Sequence, residues 1–228
     1  LEKGEWKMDI SGKERSVGVL SLPDIVADWQ KKLIGEARRK AIHLSGLSVP
    51  LSLLLLGRSF TIAFVALALA ISLILEWQRL KGKIRLPEVR AQEEHKVASF
   101  VYYITGCLLC VVFLPKMIAV NAVLFLSLGD TISGLAGSIL ANADVRGRRK
   151  MWGCKSLPIM AVMFSSCLLI GYLVSGITQL SFPVYLAGAA AATIADGVAV
   201  IINGNSLDDN FSIPVFSGLV MTGAAALF

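Results

Sequence analysis

Apolar runs at 41–56, 60–75, 97–114, 117–140, 157–177, 182–202 and 213–228 alternate with short polar stretches. Most approach the roughly 20 residues that cross a hydrocarbon core. The pattern predicts an all-α fold, a polytopic helical bundle of about seven transmembrane helices. The first and last runs are short, and the fourth reads either as one helix or as two half-helices broken at Gly129. Ahead of them, residues 1–35 carry mixed charge. Leu22, Ile25, Val26, Trp29 and Leu33 fall on a helical stripe, which predicts an amphipathic helix lying on the headgroups. The domain reading is therefore an interfacial segment over 1–35 and a membrane-embedded domain over 36–228.

Composition agrees with this pattern. Hydrophobic residues make up 55% of the chain and the mean hydropathy is +0.70, outside the balance of a soluble domain. The formal charge of +6 is one-sided. A seven-pass chain puts 1–40, 76–96, 141–156 and the loop around Asp208 on one side, and these hold every Lys and Arg except Arg58 and Lys116. The positive-inside rule makes that side cytoplasmic and sends the carboxyl terminus outside. No secretory leader is expected, since the first residues are charged. A prokaryotic plasma membrane is favoured over endoplasmic reticulum or plastid, and no nucleic-acid partner is expected. Excess positive charge at a membrane face is explained by anionic headgroups, or more sharply by a phosphate-rich ligand. Cys107 and Cys110 form a C-x-x-C without a second pair at zinc spacing, so packing is the default for them and for Cys154 and Cys167.

Two acids interrupt the apolar runs. Asp130, in SLGDTISGLAG, precedes Asn142 by twelve positions, and Asp196, in TIADG, precedes Asp208 by the same number. If both helices run toward the cytoplasm, the carboxylates share a depth of roughly 18 Å of helix axis from the loops. Intramembrane carboxylates are costly and normally face a polar cavity with a partner. Glycines at 129, 134, 137 and 197 thin the backbone nearby. Two acids at one depth beneath a basic surface suggest Mg²⁺, which is commonly held by one or two carboxylates plus substrate phosphates. The competing reading has each acid cap a broken helix or pair with Lys or Arg; for Asp196, Glu76 or a lysine is the candidate structural partner.

The polar segments add candidates. NADVRGRRKMWGCKSLP holds Arg146, Arg148, Arg149, Lys150 and Lys155 around Gly147 and Gly153, a composition suited to wrapping phosphates as well as to anchoring topology. It is not a Walker A motif. SLDDNFSIP places Asp208, Asp209 and Asn210 ahead of the last run, where one cap is needed and three capping residues stand. EARRKAIHLSG brings Glu36, Lys40 and His43 onto one helical face.

In this order, E-x-R-R-K-x-I-H, G-D-x-x-x-x-x-x-G, a basic loop closing on K-S-L, and D-D-N-x-x-I-P resemble the polyprenol kinase family. That family includes dolichol kinase, phytol kinase and the CTP-dependent diacylglycerol kinase, and is distantly similar to phosphatidate cytidylyltransferases. The resemblance spans about 36–218. It implies phosphoryl transfer from a nucleoside triphosphate, CTP favoured, to a lipid alcohol, with Mg²⁺. Matching positions put Asp130 on the acid of G-D, Lys155 and Ser156 on K-S, and Asp208, Asp209 and Asn210 on D-D-N; the mechanism expected from this gives catalytic roles to Asp130, Lys155 and Asp196, with metal at Asp130, Asp196 and Asp209. Nucleotide binding falls to Arg39, Lys40, His43, Arg148, Arg149, Lys150, Lys155, Ser156, Asp208, Asp209 and Asn210. Two departures stand out: KSLPIM replaces the family's K-S-L-E-G, and Asp196 stands where relatives often carry Glu. Alternative functions are a CDP-lipid-forming cytidylyltransferase, a membrane carrier with an intramembrane acidic site, or a non-catalytic relative that binds lipid or nucleotide.

Overall fold

The computed structural model describes residues 6–8, 14–16, 34, 40, 41, 43–84, 86, 89, 96–143, 155–198, 201, 202 and 205–228. Helices dominate. In chain order they are α1 (Ser48–Leu55), α2 (Arg58–Leu80), α3 (Ser99–Phe113), α4 (Lys116–Leu124), a π-helical turn (Phe125–Gly129), α5 (Asp130–Ala143), α6 (Leu157–Leu173), α7 (Ser175–Thr178), α8 (Phe182–Gly197) and α9 (Asp209–Ala225). Two small antiparallel ladders accompany them, β1 (Trp6–Met8) with β2 (Glu14–Ser16), and β3 (Ile201–Ile202) with β4 (Asn205–Ser206). The β1–β2 pair was not foreseen in the sequence. The stripe from Leu22 to Leu33 lies outside the described residues.

A helix occurs within every apolar run, but length separates them. Among the described residues two are long and apolar enough to cross a membrane, Arg58–Leu80 and the continuous rod Lys116–Ile139. His43–Leu55, Ser99–Phe113 and Leu157–Leu173 are shorter apolar helices. Local chemistry sets the boundaries. Gly57, at φ +86°, takes a backbone angle that L side chains rarely adopt and separates α1 from α2. Pro115 stands at the entry of α4, and Pro158 and Pro183 sit in the first turns of α6 and α8, where a missing N–H costs nothing. Arg58, one of the two cations outside the basic segments, donates from Nη2 to the Leu114 carbonyl at 2.5 Å and ties the start of α2 to the end of α3.

The fourth run forms one rod rather than two half-helices. Its π turn ends at Gly129, immediately before Asp130. A single extra residue in the turn rotates the remainder of the rod, a device frequent at functional sites. Phe125 and Leu126 in this turn are fully buried, together with Met163 of α6, Val184 of α8, and Ile213 and Met221 of α9. The small residues Ala189, Ala192 and Ala195 are also buried, and α8 packs most extensively on α9 and α6. Small side chains permit this close approach between helix backbones.

In contrast, α2 turns Phe60, Phe64, Leu67, Ile71 and Ile74 outward. Only 22% of its most apolar stretch is buried. An exposed apolar surface of this extent suits hydrocarbon or another apolar partner better than water.

Candidate acidic site at the helix ends

Four chain segments converge on one group of side chains. Asp130 opens α5 directly after the π turn, Asp196 stands one residue before the end of α8, and Asp209 is the first residue of α9. Lys155 lies just ahead of α6, where its backbone N–H donates to the Gly197 carbonyl at 3.0 Å. One oxygen from each of Asp130, Asp196 and Asp209 lies within 4.8 Å of the others.

The equal spacing read from the sequence is not what joins Asp130 and Asp196. α8 stops at Gly197, and β3 and β4 turn the chain back toward α9, so no helix of twelve residues separates Asp196 from Asp208. Asp196 is therefore at a helix end. α5 does continue for thirteen residues beyond Asp130, and the carboxylates meet because that rod passes the end of α8. Gly129 lets the rod lie close against α6: a Cβ there would lie 2.7 Å from Cys167 Sγ.

Cations accompany the acids. Lys40 Nζ is 2.5 Å from Asp130 Oδ2, and His43 Nδ1 is 3.0 Å from the same oxygen. Lys155 Nζ is 2.5 Å from Asp196 Oδ1 and 3.5 Å from Asp209 Oδ2. The two lysines differ in access, with side-chain exposures of 3% for Lys40 and 35% for Lys155. Lys40 and His43 thus face Asp130, while Lys155 is the cation a ligand can reach. Burial alone would push the Lys155 ammonium down, but Asp196 foremost, with Asp209, holds its pKa well above the ordinary lysine value. The structure chooses a lysine for Asp196: Glu76 is engaged elsewhere, accepting from Arg79 Nη2 at 2.6 Å and from the Ala98 N–H at 2.8 Å.

Three carboxylates face two ammonium groups, which engage one oxygen of each. Among the described residues Asp196 Oδ2 has no hydrogen-bond partner, on a side chain with 0% exposure. Such an atom is costly unless something occupies it. A hard divalent cation fits this donor set, since each lysine engages a single oxygen of each carboxylate it touches and oxygen ligands are what Mg²⁺ takes.

Asp208, Asp209 and Asn210 divide their labour. Asp208 caps α9, its Oδ1 accepting from the Asn210 N–H at 3.0 Å and from Asn210 Nδ2 at 2.7 Å. Burial, reinforced by neighbouring Asp209, pushes the Asp208 carboxyl up to about 6 against hydrogen bonds from Asn210 and Ser99. Only Asp209 joins the acidic group. Asn210 Oδ1 is buried without a partner among the described residues, a second open acceptor near the site.

Ser156 occupies the N-cap position of α6 without a side-chain capping bond. Pro158 is accommodated there because it falls in the helix's first turn, which accounts structurally for KSLPIM. Arg39, Arg146, Arg148, Arg149 and Lys150 lie outside the described residues. Tyr103 escaped the sequence reading although it supports the site: its hydroxyl donates to the His43 carbonyl at 2.9 Å and lies 2.5 Å from Ser127 Oγ. The adjacent pair Tyr102 and Tyr103 within an apolar run was the available signal.

Comparison with known proteins agrees with one part of this picture. The chain is 25% identical over 150 residues to CTP-dependent diacylglycerol kinase 1 of Eremothecium gossypii. The match covers 58% of this chain and 46% of that protein, so the chain spans about half the length of this curated relative. No family model and no solved structure matches the chain.

Proposed function

We propose that this chain is a membrane-embedded lipid kinase, transferring the γ-phosphoryl group of a nucleoside triphosphate, CTP favoured, to the hydroxyl of a lipid alcohol. The observation that carries the reading is the group of Asp130, Asp196 and Asp209 with Lys155 between two of them. The similarity to a CTP-dependent diacylglycerol kinase supports the donor and the reaction class. Exposed apolar faces and two long apolar helices support a membrane setting; seven passes, with the acidic group toward the cytoplasm, are our reading of the apolar runs and the charge asymmetry.

Phosphoryl transfer depends on positioning and charge neutralisation more than on covalent chemistry. Asp130 and Asp209 would hold Mg²⁺, with Asp196 beside them and its Oδ2 left open. When bound, that ion would supply charge neutralisation to the phosphates. Lys155, the accessible lysine, holds the phosphate oxygens at the mouth of α6, with Ser156 beside it. The basic residues Arg148, Arg149 and Lys150 extend the phosphate grip, and Asn210 offers its open carbonyl to a donor on the nucleotide. Lys40 and His43 fix the Asp130 carboxylate in place. The bond from the γ-phosphorus to the nucleoside diphosphate breaks as one forms to the lipid oxygen. The hydroxyl proton passes to a carboxylate, for which Asp196 Oδ2 is the unengaged acceptor.

The test is transfer of label. Detergent-solubilised protein with Mg²⁺ and γ-labelled CTP or ATP is offered farnesol, geranylgeraniol, phytol, dolichol and diacylglycerol, and the lipids are extracted. Label in a lipid phosphate, reduced by roughly 100-fold or more in K155M, is expected. Nucleotide binding with no label in any lipid would overturn the kinase reading, and a CDP-lipid with released pyrophosphate would replace it with a cytidylyltransferase.

A further inference from the structure

Beside the acidic site lies an apolar cavity of about 170 Å³, enclosed by α1, α2, α3 and the turn before α1. Val49, Val65, Ile104 and Cys107 line its inner wall, and Phe64 and Ser48 stand at its exposed side. Its inner end is closed by Tyr103 against Gly46, where any Cβ would overlap the tyrosine ring. That end is close to the chemistry. The Tyr103 ring packs on the His43 ring, centroids 4.9 Å apart, and His43 Nδ1 is 3.0 Å from Asp130 Oδ2. Two side chains therefore separate the cavity from the carboxylates. Its open side adjoins the outward apolar face of α2, where Phe64 and Leu67 are exposed.

We infer that this cavity takes the headgroup-proximal segment of one hydrocarbon chain of the acceptor lipid. The inference rests on the kinase reading for its acceptor, and adds where that acceptor sits. A dry cavity of roughly 150 Å³ holds a molecule the size of benzene, so this one accommodates a short stretch of a single chain, with the rest lying along α2 in the bilayer. A chain seated against Tyr103 and Gly46 lies on the far side of the Tyr103 and His43 rings from Asp130 and brings its polar end to the site's flank. Isoprenoid and acyl chains share the chemistry the cavity recognises, and the experiment separates them.

The experiment is saturable photolabelling of the full chain in detergent by two probes, a farnesol and a diacylglycerol, each with a diazirine on the first carbons of one chain. Ala68→Phe and Ser48→Phe fill the cavity from different helices and touch none of the acidic residues. The expected result is label on the segments carrying Phe64–Ala68 or Phe100–Cys107, competed by the unlabelled alcohol and reduced about tenfold in at least one folded variant, with a matching rise in KM for the alcohol and an unchanged KM for the nucleotide. Which probe labels identifies the chain type. Label confined to other segments, or unaffected by either variant, overturns the inference while wild-type phosphorylation leaves the kinase reading standing. Competed cavity label without phosphorylation of any alcohol does the reverse, keeping the chain site and removing the kinase reading.

Discussion

Replacing Asp196 by Asn separates chemistry from folding. The carboxylate is fully enclosed, with Oδ1 2.5 Å from Lys155 and Oδ2 unpartnered. Asparagine preserves the shape. It strands no charge, because Lys155 retains Asp209 at 3.5 Å and is itself 35% exposed. The buried anion it removes is costly to desolvate, so the net effect on stability should stay within about 1 kcal/mol. The effect on function should be large. D196N removes one of three carboxylates that converge within 4.8 Å and the open anionic oxygen assigned to the hydroxyl proton. Loss of one preorganised electrostatic group typically costs roughly 100- to 1000-fold in kcat, or about 2.7–4 kcal/mol, and loss of a general base falls in a similar range. The assay is the initial rate of label transfer across a Mg²⁺ series, with thermal unfolding of the same samples in detergent. A transfer rate within about threefold of wild type at every Mg²⁺ concentration, well short of such losses, would refute the role of Asp196 and the reasoning from its unpartnered oxygen.

Three further substitutions probe the same geometry. Asp130→Asn leaves Lys40, 3% exposed, without its carboxylate; it should destabilise by about 3–5 kcal/mol in thermal unfolding, and Lys40→Met in the same chain should restore most of that. Because the Asp208 carboxyl is raised to about 6 by burial and Asp209, the folded state binds more protons than the unfolded one between pH 4 and 6. Stability should therefore rise as pH falls through that window, by up to roughly 3 kcal/mol, and a melting series on Asp208→Asn should lose the dependence. Gly129→Ala puts a Cβ 2.7 Å from Cys167 Sγ; it should cost about 1–3 kcal/mol by overpacking, and Cys167→Ala should relieve it, whereas no change on melting would show that α6 yields freely.

Much of the helical layout was readable from the chain because apolar periodicity and length report directly on which segments avoid water. The runs at 60–75 and 117–140 became the two helices long enough to cross a bilayer, and helices appeared within the others at lengths that hydropathy alone could not set. Asp130, Asp196 and Asp209 were likewise legible as unusual residues, since a carboxylate in or beside an apolar run needs a reason. Their meeting was a matter of tertiary structure. The end of α8 at Gly197, the return through β3 and β4, and the π turn before Asp130 decide which side chains share a space, and none of these leaves a periodic trace. Pairing was also beyond the sequence. Lys40 and Asp130 are ninety positions apart, and only packing distinguishes the enclosed lysine from the accessible Lys155. Local hydrophobic pattern determines which segments become helices, because each residue responds to its own solvent; the site arises from where different helices stop, because its electrostatics depend on distances between them.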